Sequence, residues 1–169
     1  WIDGLDKCSP WVQLRVNAFG DLETISTHDQ ILGGPSGQTF LGSRFPADAR
    51  YRLSLQDAGL AIGRVLQAQG VLGRFSIDFV TTRVGEGWLH QAIEINLRKG
   101  GTTLPYQMLQ FLTAGKVDTS SGEFLTPLGQ HRCYRATDNL VAASLRTLIP
   151  EDLIDILVEQ QLHFDETTQ

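Results

Sequence analysis

The sequence predicts an α+β fold with a mostly antiparallel sheet flanked by helices. Strand-like segments dominate the first hundred residues, and segments with helical apolar spacing gather after them. Two pairs of the strand-like segments are joined by short Gly-containing turns, the connection that antiparallel hairpins use.

The elements follow in order. "WVQLRVN" (11–17), "AFGD" and "LETISTHDQIL" (22–32) read as strand, turn and strand. Residues 33–48, "GGPSGQTFLGSRFPAD", are rich in Gly and Pro and read as a loop. Ser54 suits a helix N-cap with Asp57 three residues on, and Ala58, Ala61, Ile62, Val65 and Leu66 form one stripe before Gly70 stops the helix. The spacing of Gly59 and Gly63 marks close packing in that helix, since its surroundings are too polar for a membrane motif. "GRFSIDFVTT" and "WLHQAIEINLR" are two further strands. Thr103, with Pro105 in the first turn, suits the start of a helix that Gly115 ends. A second late helix is expected from Asp138 through "NLVAASLRTL". A third is expected from Pro150, whose acidic first turn complements the helix dipole.

Composition narrows the classes of function. The 169 residues make one domain (1–169), and the net charge of −5 with no basic patch argues against nucleic acid. No apolar run is long enough to span a membrane, and no signal peptide or low-complexity tract stands out, so a cytoplasmic chain is expected. Cys8 and Cys133 lack metal-ligand spacing and make no disulfide framework; the usual fate of such a thiol is a small packed residue rather than a nucleophile.

The chemistry concentrates in "FSIDF" and "AIEIN", where Asp78 and Glu94 stand in the middle of apolar strands. Gly85-Glu86-Gly87 reads as the apex of a hairpin with a three-residue loop, a register that puts Asp78 opposite Glu94. Phe75, Ile77, Phe79, Ile93, Ile95 and Leu97 then fill one face, which is expected to be buried. Ser76, Asp78, Glu94, Asn96 and Arg98 line the other. Two carboxylates roughly 5 Å apart repel by about 3 kcal/mol at an effective dielectric near 20. Solvent exposure, a raised pKa or a bound cation each relieves this. Asn96 adds a neutral oxygen on the same face and favours the cation, because Asp, Glu and Asn form a hard-oxygen set suited to Mg2+, with Mn2+ as the alternative. Arg98 continues the row with a fork that matches phosphate or carboxylate. Lys99, Gly100, Gly101, Thr102 and Thr103 then lead into a helix N-terminus, a favourable place for an anion.

The succession "GRFSIDFV", "AIEINLRKGGTTLP" and "STHDQILGGPSG" resembles the ATP-grasp carboxylate–amine ligases, and within them the pheganomycin-type peptide ligases. The resemblance runs from about Trp11 through "YRATDNL" and implies the magnesium-holding, C-terminal lobe of that fold. By it, the N-terminal lobe and its glycine-rich lid belong upstream of Trp1, and more sequence belongs beyond "HFDETTQ". It implies that ATP phosphorylates a small carboxylate substrate, an amino acid or peptide, and that an amine attacks the acyl phosphate. Asp78, Glu94 and Asn96 would hold Mg2+ against the ATP phosphates, and Arg98 would stabilise the acyl-phosphate oxyanions. Lys99, Gly100, Gly101, Thr102 and Thr103 would meet phosphate or substrate carboxylate. His28 and Gln30 fall on the strand that faces the nucleotide in that superfamily, although a lone strand histidine is more often a core residue.

Two other classes compete. A metal-dependent phosphohydrolase could use the same cation ligands, but His28 is its one candidate base, and no H-E-x-x-H, P-loop or G-x-S-x-G motif is present. A non-catalytic nucleotide- or metal-binding fragment is the other.

Overall fold

The computed structural model describes residues 4–161; the expectations for the first three residues and for "HFDETTQ" lie outside them. Its main sheet has seven strands: β1 (Leu5–Cys8), β2 (Pro10–Val16), β3 (Leu22–Gly33), β4 (Thr39–Phe45), β5 (Gly73–Val84), β6 (Gly87–Asn96) and β10 (Tyr134–Ala136). Every pairing is antiparallel. β6 runs along one side of β5, β1 and β2 lie end to end along its other side, and β3, β4 and β10 follow. A second sheet joins β7 (Lys116–Asp118), β8 (Glu123–Leu125) and β9 (His131–Arg132). The helices are α1 (Arg52–Ala68), α2 (Thr103–Thr113) and α3 (Pro150–Glu159). The α+β expectation holds.

The two faces of the main sheet have different covers. Val12, Leu14, Phe75, Ile77 and Phe79 point to one face and form the main core with Tyr51, Leu55 and Leu66 of the α1 region. α1 lies so close that a Cβ on Gly59 would stand 3.0 Å from Val12, and one on Gly63 3.0 Å from Leu14. The buried stripe of α1 is therefore Leu55, Gln56, Gly59, Gly63 and Leu66; Val65 is exposed, as is Ala61, contrary to the expected stripe. Two small residues in the contact bring the backbone of that flank down onto the sheet and roll the bulkier side chains outward. On the opposite face, Phe45 packs edge-on against Tyr106 of α2 and Phe124 of β8 in a second, aromatic core.

Several expectations change. Residues 33–48 are not all loop, because β4 occupies Thr39–Phe45, with Ser43 and Phe45 buried. Gly42, within that segment, sits where a Cβ would come 2.2 Å from the Ala136 carbonyl oxygen; glycine lets β10 close onto β4. α1 begins two residues before Ser54, whose hydroxyl caps nothing and reaches His90 Nε2 at 2.8 Å. Thr103 is the first residue of α2 rather than its cap, and Ala114, in a left-handed conformation, ends the helix. The helix expected from Asp138 shrinks to one 3-10 turn, Ala143–Leu145, with Leu140 and Val141 left in solvent. α3 forms as expected, and Asp152 accepts the Ile149 amide at 2.9 Å to close its first turn.

The β5–β6 hairpin has the expected partners for a different reason. Val84 pairs with Gly87, so the turn has two residues, with Gly85 at φ +60 in its first central position as a type II′ turn requires. That register alone would offset Asp78 from Glu94 by one. A bulge between Asp78 and Phe79 restores it: Phe79 pairs with Ala92, Asp78 with Glu94, and Ile93 is the extra residue. Side-chain parity on β6 inverts there. His90 faces the α1 side, 2.8 Å from Thr81 Oγ1, and Trp88 packs on Tyr51, while Glu94 and Asn96 face the other way. The expected buried face is half right, since Phe75, Ile77 and Phe79 are buried whereas Ile93, Ile95 and Leu97 are 58%, 45% and 58% exposed. Among the described residues β6 has a strand on one side only, so its apolar side chains lack the lateral cover that β5 receives.

Candidate functional site

The face opposite α1 carries the predicted residues. Cross-strand pairs line up Ser76 with Asn96, Asp78 with Glu94, Trp11 with Asp78, and Trp11 with His28. Where β6 ends, the Arg98 amide donates to the Asn96 carbonyl at 2.8 Å, and the chain turns back over this face. It is fixed there by Thr102, a buried residue whose Oγ1 accepts from Trp11 Nε1 at 3.3 Å and from the Gln13 amide. The Thr103 amide donates to the Gly100 carbonyl at 3.0 Å as α2 begins.

Between this returning loop and the sheet lies a cavity of about 220 Å³. Among the predicted residues, Gln30, Asp78, Asn96, Arg98, Gly100, Gly101 and Thr102 line it. Glu94 stands directly across from Asp78 in the strand pairing but is not in the lining. Lys99 and Thr103 are not in the lining; Lys99 is exposed, and Thr103 is buried in the first turn of α2. A Cβ on Gly100 or Gly101 would meet nothing within 4 Å. Packing within the described residues therefore does not explain why both lack side chains, and their bare backbone is open to a ligand.

Burial, reinforced by the facing Glu94 charge and a hydrogen bond between the two carboxyl groups, pushes Asp78 up to about 6; Arg98 acts weakly the other way. The pair thus repels as the sequence implies, with burial of Asp78 as the larger cause. Among the described residues no group of three or more His, Cys, Asp or Glu side chains gathers as a metal cage. The local oxygen set is two carboxylates and the Asn96 amide on one face, which suits a hard cation that keeps part of its shell for phosphates or water.

His28 does not reach the cavity. It is 0% exposed, stacked on Trp11 with ring centroids 4.8 Å apart, and its Nε2 lies 2.8 Å from the Tyr134 hydroxyl. Burial holds it down at about 3, so it is neutral at physiological pH. Its place is under the site, supporting the Trp11 ring. Ser76, placed on this face by strand parity, also lines the cavity, as do Trp11 and Phe40, which the sequence does not single out. Phe40 lies in the segment that reads as loop.

A sequence profile for the family described as IQCH-like, ATP-grasp matches residues 9–120. The L-propargylglycine–L-glutamate ligase of Streptantibioticus cattleyicolor is 40% identical over 103 residues, which cover 61% of this chain and 20% of that enzyme. The chain thus spans about a fifth of the length of this curated relative. Among solved structures, the biotin carboxylase domain of a thermophilic 2-oxoglutarate carboxylase bound to bicarbonate aligns with a TM-score of 0.51 at 14% identity, over 71% of this chain and 25% of that one. The corresponding domain dimer from Hydrogenobacter thermophilus, in complex with MgADP, ADP and bicarbonate, aligns with a TM-score of 0.50 at 13% identity, over 70% of this chain and 24% of that one. At such identities these two likenesses are of fold. Among the described residues no helix is long and apolar enough to cross a membrane.

Proposed function

The chain belongs to the IQCH-like ATP-grasp family, and on that premise we propose that it supplies the metal and phosphate contacts of an ATP-dependent ligase joining a carboxylate to an amine. The observation that carries the reading is one cavity lined by Asp78, Asn96, Arg98 and the open Gly100-Gly101 backbone, with Glu94 paired across the strands to Asp78. The relative's printed name, a ligase of two amino acids, supports amino acids or short peptides as the substrate class. In this reading residues 1–169 form one lobe of the catalytic unit.

Asp78, Glu94 and Asn96 would hold Mg2+, or Mn2+ in its place. When bound, the ion supplies charge neutralisation and positioning for the phosphoryl group of ATP. The γ-phosphoryl group moves to a carboxylate oxygen and breaks its bond to the β-phosphate, releasing ADP. The amine then forms a bond to the acyl carbon while the C–O bond to phosphate breaks. Arg98 orients the phosphoryl oxygens and stabilises negative charge on the acyl phosphate through its guanidinium. Gly100 and Gly101 let oxygens approach the backbone closely. Thr102, tied to Trp11 and Gln13, keeps that loop in place.

The reading is tested by product analysis of the full-length protein supplied with ATP, Mg2+ and a panel of amino acids. ADP and phosphate, formed together with an amide, are expected. AMP and pyrophosphate would indicate an adenylating reaction and remove the role given to Arg98. Hydrolysis of ATP with no amide from any amine would favour the phosphohydrolase.

A further inference from the structure

A second cavity, of about 390 Å³, adjoins the first. The two share Phe40, Gly101 and Thr102, so the loop that closes the polar chamber also forms a wall of its neighbour. The chambers differ in chemistry. The first is lined by Asp78, Asn96, Arg98, Gln30 and Ser76, whereas the second is walled by Leu104, Pro105 and Met108 of α2 and by Ala136 of β10. Leu104 is 66% and Met108 48% exposed, so nothing among the described residues fills the space before them. Beside the shared Thr102, its polar lining comes from Ser43, Thr137 and Asp138.

Resting on the ligase reading above, we infer that this second cavity is a specificity pocket for the compact apolar side chain of one amino-acid substrate. A group reacting at the Gly101–Thr102 seam has the polar chamber on one side and the apolar one on the other. A ligand anchored there places its reactive end near Arg98 and its hydrocarbon near Met108. The volume lies at the low end of small-molecule pockets, roughly 300–1,000 Å³, which matches a single amino acid better than a long peptide. An acidic side chain entering it would lose hydration against Leu104, Pro105 and Met108 with no opposite charge there to compensate, and a basic one would have to compete with the substrate's own ammonium for Asp138. Asp138 offers a counter-charge to the ammonium of an amino acid. Met108, an unbranched side chain on an accessible helix face, limits the depth.

The test is a binding titration of the full-length protein, in the presence of Mg2+ and ADP, with glycine, alanine, norvaline, leucine, glutamate and lysine. Norvaline and leucine are expected to bind at least tenfold more tightly than glycine, glutamate or lysine. Met108→Trp fills the pocket from an exposed position; it should weaken norvaline and leucine tenfold or more while leaving the thermal shift produced by Mg2+ and ADP unchanged. Equal affinity across the series, or an unaltered preference in Met108→Trp, overturns the pocket. An intact apolar preference in a protein that shows no Mg2+–ADP shift and forms no amide would keep the pocket and remove the ligase reading instead.

Discussion

Glu94 is the exposed member of the carboxylate pair and Asp78 the half-buried one, so deleting the Glu94 charge probes the repulsion with little loss of packing. Asp78 titrates at about 6 in the folded chain, above the ordinary carboxylate range, so the folded state holds the extra proton. Its stabilising contribution is present below about pH 4 and is lost as pH rises through about 6. Glu94→Gln should therefore raise metal-free stability at pH 8 by about 1 kcal/mol or less, since solvent screens the exposed partner, and should gain nothing at pH 4. Millimolar Mg2+ or Mn2+ should raise the wild-type melting temperature and leave the variant nearly unmoved. Thermal melts at the two pH values, with and without metal, check both. An unmoved wild-type midpoint together with a destabilised variant would make the pair structural. His28 acts with the opposite sign. Its folded value of about 3 lies below that of an unfolded histidine, so stability is full above about pH 6.5 and is lost as pH falls toward 3. Denaturant titrations at pH 7.5, 5.5 and 4.5 should show that slope. His28→Phe, which keeps a ring on Trp11, should lack it, at a pH-independent cost of about 1–3 kcal/mol for the orphaned Tyr134 hydroxyl. At this scale much of the site could be read from the chain. Strand alternation and pairing put Asp78 and Asn96 on one face, and the turn after β6 brings Arg98 to the same cavity, but nothing local told that His28 would be sealed under Trp11.

Ile93 decides more about β6 than any residue that lines the cavity. The apparent symmetry about Glu86 paired Asp78 with Glu94 through a loop one residue too long, and the bulge at Ile93 makes up the difference. The two errors cancel because a two-residue turn and one extra strand residue shift the register equally. Trp88 and His90 can then pack toward α1 while Glu94 and Asn96 stay on the cavity side. Deleting Ile93 should force one of these pairs onto the wrong face, costing on the order of 3 kcal/mol or abolishing the fold, and should remove any stabilisation by Mg2+. Ile93→Thr keeps the length and should preserve both properties. Denaturant midpoints with and without Mg2+ distinguish the two variants, and a deletion that behaves like wild type would place the parity change elsewhere. Bulges of this kind leave little local sequence signal, which is why parity along β6 was read as continuous.

Seen whole, the chain's architecture was easier to infer than its covering. Alternation gave away the β2–β3 hairpin and the two central strands, whereas β4 was masked by the glycines that admit β10. α3 formed from its Pro and acidic first turn, yet Leu153, Ile154, Ile156, Leu157 and Val158 remain exposed, since an apolar pattern does not say what it packs against. The large sheet is also uneven in support. Among the described residues β5 is held by neighbours along both sides, and β6 along one. Hydrogen exchange should therefore release the amides of residues 88–97 well before those of residues 73–82, and equal protection would reveal a cover on β6. In mechanical terms the paired acids are mounted on parts of unequal stiffness, Asp78 on a clamped beam and Glu94 on a free-edged one. The gap between them is consequently compliant, and adjusting it to ions of slightly different radius takes little work. In the proposed reading, a site mounted in this way selects its ion by charge more than by size.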